Sequence, residues 1–293
     1  MAFGTRFNDG SQNAPRLRLQ HALWGLIGLP MNAALDGKPE WTLDEKFARV
    51  RDNGFEAVEC WLGDGDEAET KAALDRHDLR LVMGHRPFSI GDTRATIERA
   101  KRISADFIFA QPASAWTPLK DVVALIIEGR KMAHDNGLAY WVETHRGNFT
   151  ENLPQTLQLI EAIPDLRFTA DLSHFVVVGE FYGWENEGAI ERMRPVLERA
   201  SHAHARISNG EAVQVDVGDG SNETAQFFVK LWTEILRAWR KDAGPGDIFP
   251  FAPELGPPRY AITTPDGREF SDRWQQSLVM KQLIEQAWQQ AGD

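Results

Sequence analysis

Four short apolar runs each end on a side chain able to hold a divalent cation: Val142-Glu143, Ala170-Asp171, His202-Ala203-His204 and Pro253-Glu254. Three carboxylates and one imidazole brought to one point suit Mn²⁺, Mg²⁺, Co²⁺ or Zn²⁺, and without a thiolate the softer metals have no support. We expect one such ion per chain, with Mn²⁺ preferred. A carboxylate behind a strand also serves as the N-cap of the helix that follows, but four such positions in successive segments point to a shared site. Far apart in sequence, they meet only if the four segments are neighbouring strands ending at one level.

Strand phase sharpens the histidine. His202, His204 and Arg206 alternate with Ala203, Ala205 and Ile207, so the three polar groups share a face. Polar groups on an outer face would have to pack against apolar helices, so this face lines an interior running from depth to mouth. His204 is the expected ligand, His202 a deeper supporting group, and Arg206 a contact for substrate oxygen. His174, three residues after Asp171, can ligate or hold a substrate hydroxyl. Glu59 and Trp61 share a face near the end of a strand, His85-Arg86 follows another, Trp141 lies on the face of Glu143, and His145-Arg146 follows it. The substrate-binding set is therefore His174, Arg206, His85, Trp61, His145 and His202, with the aromatics able to stack on a ligand or simply to pack.

Strand-like and helix-like segments alternate along the chain with no long linker. Strands are expected at 21–27, 55–61, 79–83, 106–110, 138–143, 166–171, 202–207 and 248–252. Helices should start near Trp41, with a Thr42/Glu45 capping box and a stop at Asn53-Gly54, end near His77, and cover 93–104, 119–136, 153–162, 187–200, 225–240 and 272–290. Eight β-then-α units in about 250 residues specify an α/β fold, a (β/α)8 barrel, rather than an open doubly wound sheet. No glycine-rich dinucleotide or phosphate fingerprint follows any strand. Residues 1–19 read as a loosely ordered arm and 20–293 as one barrel domain. Catalytic groups of such barrels sit at the C-terminal strand ends, where Glu143, Asp171, His204 and Glu254 fall.

Composition agrees. The 293 residues are 42% hydrophobic and include ten Trp, ample for a core. A net charge of −11 disfavours nucleic acid and anionic membranes as partners. The single cysteine, Cys60, excludes an internal disulfide framework. No run is long and apolar enough to span a bilayer, and the polar start lacks a secretory h-region, so a cytoplasmic protein is expected.

Four segments, Val142-Glu-Thr-His145, Thr169-Ala-Asp-Leu-Ser-His174, His202-Ala-His-Ala-Arg206 and Pro253-Glu-Leu-Gly-Pro-Pro258, resemble the xylose isomerase-like (β/α)8 superfamily. That superfamily includes sugar isomerases, ketose 3-epimerases, inosose dehydratases and endonuclease IV. The 3-epimerase pattern of four metal ligands falls on Glu143, Asp171, His204 and Glu254, and its hydroxyl-binding histidine on His174. The resemblance implies a proton-transfer enzyme: a metal chelates a substrate carbonyl and hydroxyl, one of Glu143 and Glu254 removes a proton to give an enediolate, and the other returns it. A lyase or dehydratase acting on an oxidised glycoside or inosose would use the same ligands. Gln111-Pro112 stands where endonuclease IV would place a histidine, and Asp216-Val-Gly218 lacks another, which disfavours a nuclease. No lysine lies just beyond strands four to seven, which disfavours a two-metal hydride shift.

The expected function is thus a metal-dependent sugar isomerase or epimerase acting on a small carbohydrate, with elimination as the alternative and a non-catalytic ligand-binding barrel as the third reading. Two excursions, the apolar 176–184 and the glycine- and acid-rich 208–222, are expected to form a lid, a mobile cover or a contact between copies in a homo-oligomer.

Overall fold

The protein, seen in a computed structural model, is described over residues 6–61, 67–182 and 186–292. After the two-residue β1 (Phe7–Asn8) come eight parallel strands: β2 (Arg16–Ala22), β3 (Ala57–Trp61), β4 (Arg80–His85), β5 (Phe107–Ala110), β6 (Ala139–Glu143), β7 (Phe168–Asp171), β8 (Ala200–Ala205) and β9 (Asp247–Pro253). Each pairs with the next in sequence, and β9 pairs with both β8 and β2, so the sheet closes. This is the (β/α)8 barrel expected from the alternation. The helices are α1 (Leu43–Asp52), α2 (Glu67–His77), α3 (Ile90–Arg102), α4 (Leu119–Asp135), α5 (Leu153–Ala162), the short α6 (Ser173–Val178), α7 (Asn186–Leu197), α8 (Glu223–Arg240) and α9 (Arg273–Gln290).

Local chemistry sets the helix starts. Thr42 and Glu45 form the expected capping box on α1, Ser89 and Asp92 a second on α3, and Asn152, Asn222 and Asp272 cap α5, α8 and α9. The apolar material then divides into two layers. The larger lies between sheet and helices; a small one, Val82, Phe107, Phe109 and Trp141, fills the barrel itself. Trp141 packs on Phe107 at a centroid distance of 4.4 Å, so it is a core side chain rather than a sugar platform.

The first strand departs from expectation. It runs Arg16–Ala22 rather than 21–27, and Leu23–Leu26 form a turn of 3₁₀ helix. The 1–19 segment is therefore no loose arm throughout: Arg16 to Leu19 pair with β9, and β1 runs antiparallel to Asp247 and Ile248. Residues 1–5 of that segment lie outside the described residues. The strand was masked because its inward side chains are polar. Arg18 is buried against Asp106 at 2.5 Å, and Gln20 bonds Glu59 at 2.6 Å, so neither position carries the apolar signal of a strand. Segment 176–184 also differs from a free lid: Phe175 and Val176 are buried in or beside α6, and Phe181 is buried behind it. Gly183 and Trp184 lie outside the described residues. In the second excursion, Gln214 is buried and tied to Gly256.

Candidate metal centre

The barrel interior is polar from its middle upward. Glu59 on β3, His202 on β8 and Gln20 on β2 form one level, with His204 two residues further up β8. Glu59 Oε1 lies 2.9 Å from His202 Nε2, and Oε2 lies 3.0 Å from His204 Nε2. Burial alone would raise the Glu59 carboxyl, but His204 and His202 outweigh it and hold it well below the usual carboxylate range.

Above that level stand Glu143, Asp171, His204 and Glu254, each offering a ligand atom within 4.8 Å of the other three. Four atoms around one divalent ion at about 2.1 Å would be spaced roughly 3–4 Å apart, so a small contraction closes the shell. His204 Nδ1 approaches Glu143 Oε1 at 3.3 Å and Glu254 Oε2 at 3.1 Å. Neither His204 Nδ1 nor Glu143 Oε1 makes a hydrogen bond of regular geometry, although both are fully buried. With Nε2–H donating to Glu59, the other ring nitrogen is left to face the cluster, as a carboxylate-oriented metal histidine does. Burial would depress the His204 imidazole, yet Glu254, Glu59 and Glu143 raise it well above its ordinary range. Nδ1 therefore sits where positive charge is strongly favoured. This group of buried acidic and imidazole side chains can hold a metal ion.

The remaining oxygens are fixed. Gln111 Nε2 donates to Glu143 Oε2 at 2.8 Å, and Ser173 donates to Asp171 Oδ1 through its backbone N–H (3.0 Å) and hydroxyl (2.5 Å). Thr150 and Thr144 donate to the main-chain carbonyls of Glu143 and Asp171. Arg206 Nε lies 3.1 Å from Asp171 Oδ2, and a terminal nitrogen lies 2.6 Å from Glu254 Oε2. Three carboxylates thus face one guanidinium and one imidazole, an excess of acidic groups that a divalent cation would offset. The two glutamates are not equivalent. Burial pushes Glu143 up, whereas at Glu254 the pull of His204 and Arg206 overcomes burial and keeps it ionised.

A cavity of about 490 Å³ opens onto this cluster, lined by Trp24, Trp61, Arg86, Gln111, His145, Arg206, Glu254, Pro257, Pro258, Arg259 and Tyr260. Of the expected substrate contacts, Trp61, His145 and Arg206 are on its wall. His174 is buried at its edge, its ring 4.2 Å from that of His145, with neither nitrogen in a hydrogen bond. Two expectations fail. His85 points outward: its ring nitrogens face the hydroxyls of Thr93 and Thr96 on α3 at 3.2 and 3.0 Å. The reason is phase, because β4 runs on to His85 and puts Arg86, one residue later, at the mouth. His202 is buried beneath the cluster with Thr169, Gln20 and Glu59 around its nitrogens, so it supports the site without reaching the cavity.

Sequence reasoning missed Trp24, Gln111 as a partner of Glu143, and Tyr260, whose hydroxyl lies 3.3 Å from His145 Nε2. Gln111 directly follows a strand, and its position alone could have flagged it. Tyr260 lies in an irregular loop and left no such signal. Among the described residues, no helix is long and apolar enough to cross a membrane.

Comparison with known proteins places the fold. The family model described as xylose isomerase-like TIM barrel matches residues 47–231. No curated protein matches the chain in sequence. Among solved structures, a D-allulose 3-epimerase from Methylomonas sp. is 16% identical, with 98% of this chain and 100% of that one covered and a TM-score of 0.57. The probable 3-DHS dehydratase AsbF from Bacillus anthracis, involved in petrobactin synthesis, is 16% identical over 91% of this chain and 98% of its own, with a TM-score of 0.55. A xylose isomerase-like TIM barrel protein from Mycobacterium smegmatis, in complex with magnesium, is 13% identical over 95% and 98%, with a TM-score of 0.56. At such identities these likenesses speak for the fold. With the family model spanning more than half of its length, the chain belongs to the xylose isomerase-like TIM barrel family.

Proposed function

We propose that this protein is a divalent-metal-dependent sugar isomerase or epimerase, with the ion held by Glu143, Asp171, His204 and Glu254. The observation that carries the reading is the convergence of four buried ligand atoms within 4.8 Å, two of them without hydrogen-bond partners, beneath a cavity of sugar size. A bound divalent ion would polarise a substrate carbonyl and make the neighbouring C–H acidic. The protein's own part is proton movement. Glu254, held ionised by Arg206, takes the proton of the substrate carbon, giving an enediolate. Glu143, raised by burial, returns a proton from the opposite side. His174 and His145 hold substrate hydroxyls, and Trp61 offers a face to the ring.

Elimination is the second reading, and the His145–Tyr260 pair favours it. The same C–H proton is lost to Glu254, the C–O bond of a neighbouring leaving group breaks, and the departing oxygen takes a proton from that pair. Solvent-deuterium exchange into a panel of ketoses and keto-glycosides, followed by NMR, separates the two outcomes. Epimerisation gives an isomeric product carrying solvent deuterium; elimination gives an unsaturated product. Glu143→Gln should slow epimerisation by about 100-fold or more, as expected for loss of its general acid. A panel that shows no deuterium uptake and no new product would contradict the proposal.

A further inference from the structure

The cavity mouth concentrates positive charge in a chain of net charge −11. Among the described residues, Arg86, Arg206 and Arg259 line it against a single carboxylate, Glu254. Arg206 is engaged by Asp171 and Glu254. Arg86 and Arg259 form no ion pair among the described residues, and neither does Arg146, which lies 4.9 Å from the Tyr260 ring centroid.

Arg86 is oriented in advance. Its Nε donates to Gln111 Oε1 at 2.9 Å, a terminal nitrogen donates to the same oxygen, and its guanidinium lies 5.8 Å from the Trp61 ring centroid. Gln111 in turn donates to Glu143. One amide thus fixes both groups, so an anion received by Arg86 sits one glutamine side chain away from Glu143. Arg259 adopts φ +99°, a region that L residues rarely occupy, on the loop following Glu254. Such conformations persist where the surroundings enforce them, often at ligand sites.

We propose that the substrate carries a carboxylate, received by Arg86 and Arg259 at the mouth while its carbonyl and hydroxyl end faces Glu143 and Glu254. The substrate class is then an acidic keto- or hydroxy-sugar. A planar guanidinium fork matches a carboxylate in two parallel hydrogen bonds. Among the described residues the wall holds no lysine, and none of them opens an α-helix, the usual means of cradling a phosphate. This inference rests on the proton-transfer reading above.

The test is calorimetric titration of the protein as purified, with D-galacturonate against D-galactose, D-glucuronate against D-glucose, and D-glucose 6-phosphate, and metal content measured on the same samples. Each acid should bind at least about tenfold tighter than its neutral partner. Arg86→Gln should cut that preference, taken as the ratio of acid to neutral-sugar affinity in the same variant, to about threefold or less. Equal binding within both pairs, no detectable binding of either acid, or tighter binding of the phosphate would overturn the inference. Loss of the acid preference with metal present strikes this inference alone; absence of metal with the preference intact strikes the functional reading instead.

Discussion

His204 joins two levels of the barrel. Its Nε2 is held by Glu59 and its Nδ1 faces Glu143 and Glu254, so the ring spans the polar plug below and the ligand cluster above. Glu59 therefore orients the imidazole that the proposed metal site uses. Glu59→Gln keeps the shape and removes the charge that fixes the His204 tautomer, and it should weaken divalent-metal affinity by about 10–100-fold, read by competition with a metallochromic chelator. Unchanged affinity would contradict that role. Much of this residue-scale picture was legible in advance, because one strand's alternation separated His204 from Ala203 and put Glu59 and Trp61 on a common face. The misplaced residue was His85, where a strand end shifted by two residues exchanged it with Arg86. Gln111 and Trp24 could not be ranked from sequence, since an amide or an indole becomes a site residue only through the neighbour that it meets.

At the scale of elements, β4 and α3 show how a buried histidine feeds into stability. His85 lies between them, and burial lowers its imidazole to about 4. In the unfolded chain it would protonate near 6.5. Between those values the unfolded state binds more protons, so this contribution is complete above about pH 6.5 and is lost as pH falls through about 4. The cost reaches at most about 3 kcal/mol. Glu143, raised by burial, acts in the opposite sense as pH rises, so the clean observable is a difference. Urea unfolding of the wild type and His85→Asn from pH 8 to 4 should show a shallower acid-side decline in the variant. A steeper decline would contradict the buried neutral histidine. Element positions were mostly legible from periodicity and caps, as at Thr42/Glu45. The first strand was not, because Arg18 and Gln20 bury polarity inside the barrel, satisfied by Asp106 just before β5 and by Glu59 on β3. Those partners lie too far along the chain for a local reading to supply.

At the scale of the molecule, barrel closure turns four separate segments into one site. β9 pairs with β8 and β2 at once, which sets Glu254 beside His204 and completes the ring begun by Glu143 and Asp171. The closed topology was legible from eight alternating units; the charge of the mouth was not, because Arg86, Arg206 and Arg259 come from three different loops of an acidic chain. Elemental analysis of the purified protein, wild type and Asp171→Ala, is the most direct test of the whole reading. About one divalent ion per wild-type chain is expected, removable by chelator and largely lost in the variant while the fold is retained by circular dichroism. A wild-type protein that takes up no divalent ion on loading, or an Asp171→Ala variant that holds it as tightly as the wild type, would contradict the metal centre on which the function rests.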